Sequence, residues 1–188
     1  MSTSIAFLES FTTSACTELG IKPMKLLIMP GEANAYANPI LGGIVITKDL
    51  LSLCDQMEIC AIITHELSHM MHKHAQKRMA LNGASFLLSG INLFLPLPLW
   101  KKVLVEVGNS IITTTAKVKM MHAQEFEADE LSFRFGLQHS LADGLEKIDA
   151  LQVKKASAAA LWMAAHGLGT HPPMKERLKR LRASVING

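Results

Sequence analysis

From Ile59 to Met71 the chain is apolar except for Thr64, His65, Glu66, Ser68 and His69. Ile59, Ile62, Ile63, Leu67 and Met70 recur at three- and four-residue steps, so the segment reads as a helix with an apolar face. Asp55 is placed to cap it, and the pattern predicts one helix over 56–80, ending near Asn82-Gly83. On that helix His65 and His69 lie four residues apart and project from one face, a turn apart. Two imidazoles so spaced can meet one Zn²⁺ at about 2.0–2.1 Å. Glu66, beside the first histidine, has its carboxylate placed to reach a metal-bound water rather than the metal. With eight His and eleven Glu among 188 residues, chance supplies His-Glu-x-x-His only about 0.02 times. A polar cluster left uncompensated inside an apolar helix is costly. A metal site is therefore the reading, with one Zn²⁺ per chain.

A catalytic zinc needs a third protein ligand and an open position. The metzincin arrangement fails, because it requires Gly at 72 and His at 75 where the chain has His72 and Ala75. One continuous helix turns His72 and His74 away from the His65/His69 pair, which leaves them a surface or supporting role. A second helix, expected within 101–139, supplies the alternative: Glu125 and Asp129 sit four apart and face the same way. Glu125 then binds zinc, and Asp129 hydrogen-bonds a ligand imidazole and fixes its tautomer. Glu127 and Glu130 are expected to point elsewhere, into solvent.

The remaining signals sketch an α+β fold, mostly helical. Ile5, Leu8, Phe11, Ala15 and Leu19 mark a helix over 4–18, stopped by Gly20. Lys25–Met29, residues 34–38 and Ile44–Thr47 read as three short strands, forming a small sheet packed on the His65/His69 helix and the glutamate-bearing helix. Shorter helices are expected at 141–153, 156–165 and 174–186. Residues 1–188 read as a single domain with an apolar helical insertion or lid at 82–102. Apolar residues make up 49% of the chain and charged ones 19%, which excludes a disordered chain. A net charge of +3 without a Lys/Arg block excludes nucleic acid as partner. Cys16, Cys54 and Cys60 lack knuckle or Cys-x-x-Cys spacing and read as buried thiols in a reducing compartment. The first residues lack a basic segment and a continuous apolar run, so no signal peptide is read and a cytoplasmic location is expected.

Between Arg78 and Lys101 lie 22 uncharged residues, long enough to be weighed as a membrane span. One span there would separate His65 and His69 from Glu125, so an even number is required. The following run, Val103–Ala116, contains Glu106, Asn109 and three threonines and is too short and polar to return. A helical hairpin or lid is expected instead, with residues 84–99 facing the core, a hydrophobic partner or a membrane surface.

His65-Glu66-Leu67-Ser68-His69, then Glu125-Phe126-Glu127-Ala128-Asp129, then Thr170-His171-Pro172-Pro173 with Arg177, resemble the gluzincin metallopeptidases of the HtpX and CAAX-prenyl-protease family. Asn34-Ala35-Tyr36-Ala37, preceding Gly43-Ile44-Val45-Ile46, resembles that family's Asn-Ala-x-Ala segment, and His74 matches a histidine often found there. The resemblance runs over roughly residues 20–185 and suits a compact member without clear transmembrane spans. It implies zinc ligation by His65, His69 and Glu125, with Glu66 as general base. It further implies that His171 lies near the metal as a hydrogen-bond donor to the transition state, and that Arg177 pairs with a carboxylate to hold its loop. The expected activity is zinc-dependent endopeptidase cleavage of a peptide or protein. His171 and Tyr36 are candidates to stabilise the oxyanion, and Asn34–Ala37 is a candidate sheet-edge strand for extended substrate. Two other readings stay open: a zinc-stabilised binding or chaperone-like protein without turnover, and a protease held latent by its own carboxy-terminal helix or 84–99 segment. Against the first stands Glu66, which a structural site closed by four protein ligands would not need.

Overall fold

The computed structural model describes residues 4–38, 41–157 and 171–183. In chain order the elements are α1 (Ile5–Glu18), β1 (Lys25–Met29), β2 (Ala35–Asn38), β3 (Gly43–Thr47), α2 (Lys48–Leu53), α3 (Gln56–Met71), α4 (His74–Phe94), α5 (Leu99–Arg134), α6 (Gln138–Lys155) and α7 (Met174–Ala183). This is the mostly helical α+β fold read from the sequence, with its small sheet of three strands. The strand order is β1-β3-β2, with β1 parallel and β2 antiparallel to the central β3. All five residues of β3 are buried. At its start Gly43 passes so close to β1 that a Cβ there would lie 2.7 Å from the Lys25 carbonyl, so only glycine fits.

The core gathers on α3. Ile59, Ile63 and Leu67 are fully buried, and they share one cluster with Leu8 of α1, Ile44 and Ile46 of β3, Leu141 of α6 and Leu181 of α7. Burial of each such side chain is worth about 1.5–3 kcal/mol, which fixes α3 as the rigid element of the molecule. A reciprocal cap anchors its start: Asp55 Oδ1 accepts from the backbone N–H groups of Met57 and Glu58 at 2.9 Å, and Glu58 Oε2 accepts from that of Asp55 at 2.8 Å. Cys16, Cys54 and Cys60 are free and buried. Burial pushes the Cys54 and Cys60 thiols up to about 12, so neither offers a thiolate near neutrality.

Downstream, one expectation fails and one of three open alternatives is removed. The single helix over 56–80 is broken at His72-Lys73: α3 stops at Met71, Lys73 takes a left-handed φ of 53°, and α4 restarts at His74. The apolar residues of 84–99 also do not join the core. The only buried residues of α4 are polar, His74 and Asn92, while Phe86, Leu87, Leu88, Ile91, Leu93 and Phe94 are exposed. Leu99, Trp100, Val103, Leu104, Val107, Ile111 and Ile112 of α5 are exposed too.

Helices α4 and α5 form an antiparallel hairpin whose seam is polar. Ser89 and Asn92 donate to Glu106 at 2.7 Å, and Asn109 Nδ2 donates to the Ser85 carbonyl at 3.2 Å and to Ser89 Oγ at 3.1 Å. Thr113 donates to Ser85 Oγ at 3.2 Å. Glu106, Asn109 and Thr113, which count against a returning apolar helix, thus pair across the hairpin, while Thr114 and Thr115 are exposed. Among the described residues no helix is long and apolar enough to cross a membrane. Of the later helices, α6 begins at Gln138 rather than 141 and α7 is described as far as Ala183. The helix expected over 156–165 lies, from residue 158 on, outside the described residues.

Candidate metal centre

Helix α3 holds His65 and His69 on one face, and α5, packed beside it, brings Glu125 against both. His65 Nε2 lies 3.1 Å from His69 Nε2 and 3.6 Å from Glu125 Oε2, and His69 Nε2 lies 3.4 Å from Glu125 Oε1. Two nitrogens and a carboxylate thus converge on one point. Tetrahedral zinc with bonds of about 2.0–2.1 Å has ligand–ligand edges of about 3.3–3.4 Å, which all three separations approach. The donor set of two imidazoles and one carboxylate, with room for a solvent ligand, also matches that of a catalytic zinc. His65 and Glu125 are each only 6% exposed, so their pairing is shielded from bulk water.

The residues behind this point form a second layer of contacts. His65 Nδ1 stands 3.0 Å from Asp129 Oδ1, an ion-pair contact whose negative charge favours a proton on Nδ1 over one on Nε2. Arg177 of α7 grips Asp129 with two bonds, from Nε to Oδ2 at 2.8 Å and from Nη2 to Oδ1 at 2.6 Å. Its Nη1 reaches Glu125 Oε2 at 3.0 Å. His171, immediately before Pro172 and Pro173, places Nδ1 3.1 Å from the same Glu125 oxygen. Burial opposes the charged form of Glu125, but hydrogen bonds from His171 and His69 and the charges of His65 and Arg177 outweigh it and hold the carboxyl well below the usual range. Asp129 follows the same logic: burial raises it, and Arg177 and His65 more than reverse that. Both carboxylates are therefore held in the charged form, able to accept hydrogen bonds or a cation.

Glu66 faces the sheet. Its Oε2 accepts the backbone N–H of Ala37 at 3.0 Å, tying α3 to the outer edge of β2. Asn34 turns the other way, its carbonyl accepting from the backbone of Thr47 at 3.1 Å, so by alternation Ala35 and Ala37 present their backbone groups to the open edge. Asn34–Ala37 therefore borders the site as a strand with one unpaired edge. The Tyr36 side chain lies on the opposite sheet face from those of Ala35 and Ala37. It lines a cavity of about 350 Å³ with Val45, Thr47 and Leu151, away from the expected oxyanion position.

Two features escaped the sequence. The break at Lys73 folds His74 back under α3, fully buried, with Nδ1 2.6 Å from His69 Nδ1. Glu127, expected in solvent, instead holds His74 Nε2 at 2.9 Å and His72 Nε2 at 3.4 Å, while Glu130 is exposed as expected. The sequence signals for this are the crowding of His72 and His74 behind His69 and the match of His74 to a histidine often found in the resembled family. Nothing in the composition marks the helix break, since neither Gly nor Pro stands there.

The family model described as Peptidase family M48 matches residues 7–185. Similar curated proteins include "Protease HtpX" of Legionella pneumophila, 26% identical over 195 residues and covering 86% of this chain and 70% of that protein. A "Protease HtpX homolog" of Pelotomaculum thermopropionicum is 27% identical, with 89% of this chain and 72% of the relative covered. The crystal structure of Ste24p from S. mikatae superposes with a TM-score of 0.63 at 18% identity over 91% of this chain, which shows a shared fold. The chain spans about half of that larger structure, 49%.

Proposed function

Since the chain belongs to peptidase family M48, we propose that it is a zinc-dependent metalloendopeptidase in which His65, His69 and Glu125 hold the ion and Glu66 is the general base. The observation that carries this reading is the near-tetrahedral spacing of 3.1, 3.4 and 3.6 Å among the inward atoms of the three ligands, drawn from two helices. A bound zinc would polarise the scissile carbonyl and lower the pKa of its water towards about 7. Asp129 and Arg177 keep His65 and Glu125 oriented for ligation. Glu66 takes the proton of the attacking water and passes it to the leaving amine. For this the Glu66 carboxylate exchanges its present Ala37 N–H partner, 3.0 Å away, for solvent as substrate pairs with the β2 edge. Extended peptide adds along Asn34–Ala37 by backbone hydrogen bonds. His171, 65% exposed and already beside Glu125, donates to the developing oxyanion.

The apolar hairpin belongs to the same reading. With Phe86, Leu88, Phe94, Trp100 and Ile112 outward and a polar seam between the helices, α4–α5 suits contact with hydrocarbon. Exposed Lys101 at its tip and Lys77 near its base supply positive charge for lipid headgroups, while Lys102 is held by the Leu93 carbonyl and Arg78 by Gln124. The hairpin therefore contacts a membrane surface and brings the cleft to substrates found there.

The experiment is Glu66→Gln, assayed on unstructured protein substrates with zinc content measured in parallel. The variant retains zinc and loses turnover by at least 10²-fold. Retained turnover removes Glu66 as base. A zinc-bound wild type that cleaves nothing, with or without detergent, favours a binding protein.

A further inference from the structure

Each zinc-facing imidazole needs its outer nitrogen held, because the proton position on one ring nitrogen decides whether the other can bind. For His65 the holder is Asp129, 3.0 Å from Nδ1. For His69 the structure offers no carboxylate at Nδ1. It offers a third histidine: His74 Nδ1 at 2.6 Å.

Two unprotonated ring nitrogens cannot share a hydrogen bond, so one of this pair carries the proton. Glu127 decides which. Its Oε2 lies 2.9 Å from His74 Nε2, and an ionised carboxylate can only accept. His74 therefore carries its proton on Nε2, its Nδ1 presents a lone pair, and His69 must donate from Nδ1. That leaves His69 Nε2 bare, facing His65 and Glu125.

Resting on the zinc site proposed above, we propose that His74 and Glu127 form a relay that positions His69, setting its tautomer through the chain Glu127 carboxylate, His74 Nε2–H, His74 Nδ1, His69 Nδ1–H.

The backbone supports it independently. On one unbroken helix, residues 69 and 74 are turned about 140° apart and their rings cannot meet. Lys73 adopts a left-handed φ of 53°, a conformation that is strained for a non-glycine residue. What the break gains is the burial of His74 against His69, together with the Glu127 contact. Ser68 Oγ, 3.1 Å from His72 Nδ1, helps keep His72 against the other Glu127 oxygen.

His72, His74 and Glu127 also lie close enough together to hold a cation of their own. The proton count separates that arrangement from the relay. A metal on His74 Nε2 would move the His74 proton to Nδ1 and drive the His69 proton to Nε2, where it would face His65 and block ligation. Neutral imidazoles therefore serve the inner site or the outer one, not both.

The test uses the full chain with ¹⁵N-labelled histidine, and long-range proton–nitrogen correlation reads the His69 tautomer before and after adding zinc. Metal-free wild type shows His69 protonated on Nδ1. In His74→Phe and Glu127→Ala that preference is lost, and zinc affinity, measured by competition with a chromophoric chelator, falls by about 10–100-fold for His74→Phe. His74→Asn, whose side-chain oxygen can take the place of Nδ1, recovers most of the affinity and the tautomer. Glu127, partly exposed, gives a variant that folds even if His74→Phe does not. An unchanged His69 tautomer in Glu127→Ala, or an unchanged tautomer and affinity in a folded His74→Phe, overturns the relay while leaving the zinc site intact. Two zinc ions per wild-type chain, reduced to one in Glu127→Ala, overturns it in favour of the outer cation site. Failure of wild type to bind zinc overturns the proposed function, and the metal-free tautomer still decides the relay.

Discussion

Arg177→Met removes the guanidinium that joins α7 to the candidate metal centre while keeping most of the apolar stem. Arg177 is 3% exposed and Asp129 4%, so the pair is shielded from water. Loss of the two bonds at 2.8 and 2.6 Å to Asp129 and of the 3.0 Å contact to Glu125 strands two carboxylates in the interior. Breaking one side of a buried ion pair costs about 3–5 kcal/mol. For a domain of this size each kcal/mol shifts Tm by about 2–4 °C, so the variant melts about 6–20 °C below wild type. Urea unfolding followed by circular dichroism measures the free-energy loss directly. Arg177→Lys keeps the charge but cannot span both Asp129 oxygens in a fork, and it falls between the two. In an Asp129→Asn background the cost of Arg177→Met shrinks, because a neutral amide needs no counter-charge. A loss below about 1 kcal/mol, or an equal loss in both backgrounds, refutes the assignment of this pair as the tie between α7 and α5.

Acid unfolding gives an independent check on Asp129. Its folded pKa is depressed below an unfolded value of about 3.9, so the stability it contributes is complete above that value and is lost as pH falls through the lower folded pKa. Asp129→Asn therefore shows a flatter decline of stability below about pH 4 than wild type, and identical acid limbs contradict it. The hairpin is tested by flotation with phosphatidylcholine–phosphatidylglycerol vesicles. Wild type floats, and the triple variant Phe86→Ser, Phe94→Ser, Trp100→Ser stays in the bottom fraction; no difference between them removes the lipid contact.

How much of this could be read before folding depended on whether the signal was local. Asp55 and Glu58 cap α3 as a three-residue pattern, and His65/His69 and Glu125/Asp129 share faces through a four-residue step, so helical periodicity alone exposes them. Their meeting at one point depends on α3 and α5 packing side by side, which no spacing specifies. Lys73 is the clearest miss. A lysine forced into left-handed backbone is dictated by tertiary contacts, namely His74 on His69 and Glu127, and a propensity argument runs straight through it. Glu127 was misplaced for the same reason, because its face of α5 was judged without α4 in view. Glu106, Asn109 and Thr113 argue in the sequence only against a returning membrane span; that they pair with Ser85, Ser89 and Asn92 as the seam of the expected hairpin depends on how α4 and α5 face each other. Arg177 and His171 lie far along the chain from Glu125, and only the family resemblance pointed to them.

X-ray absorption at the zinc edge of the metal-loaded protein tests the shared site most directly. One zinc per chain is predicted, with only nitrogen and oxygen neighbours at about 2.0–2.2 Å, the multiple-scattering signature of two imidazoles, and loss of the bound ion in Glu125→Ala. Sulfur scattering at about 2.3 Å, or wild type and Glu125→Ala binding zinc alike, contradicts it.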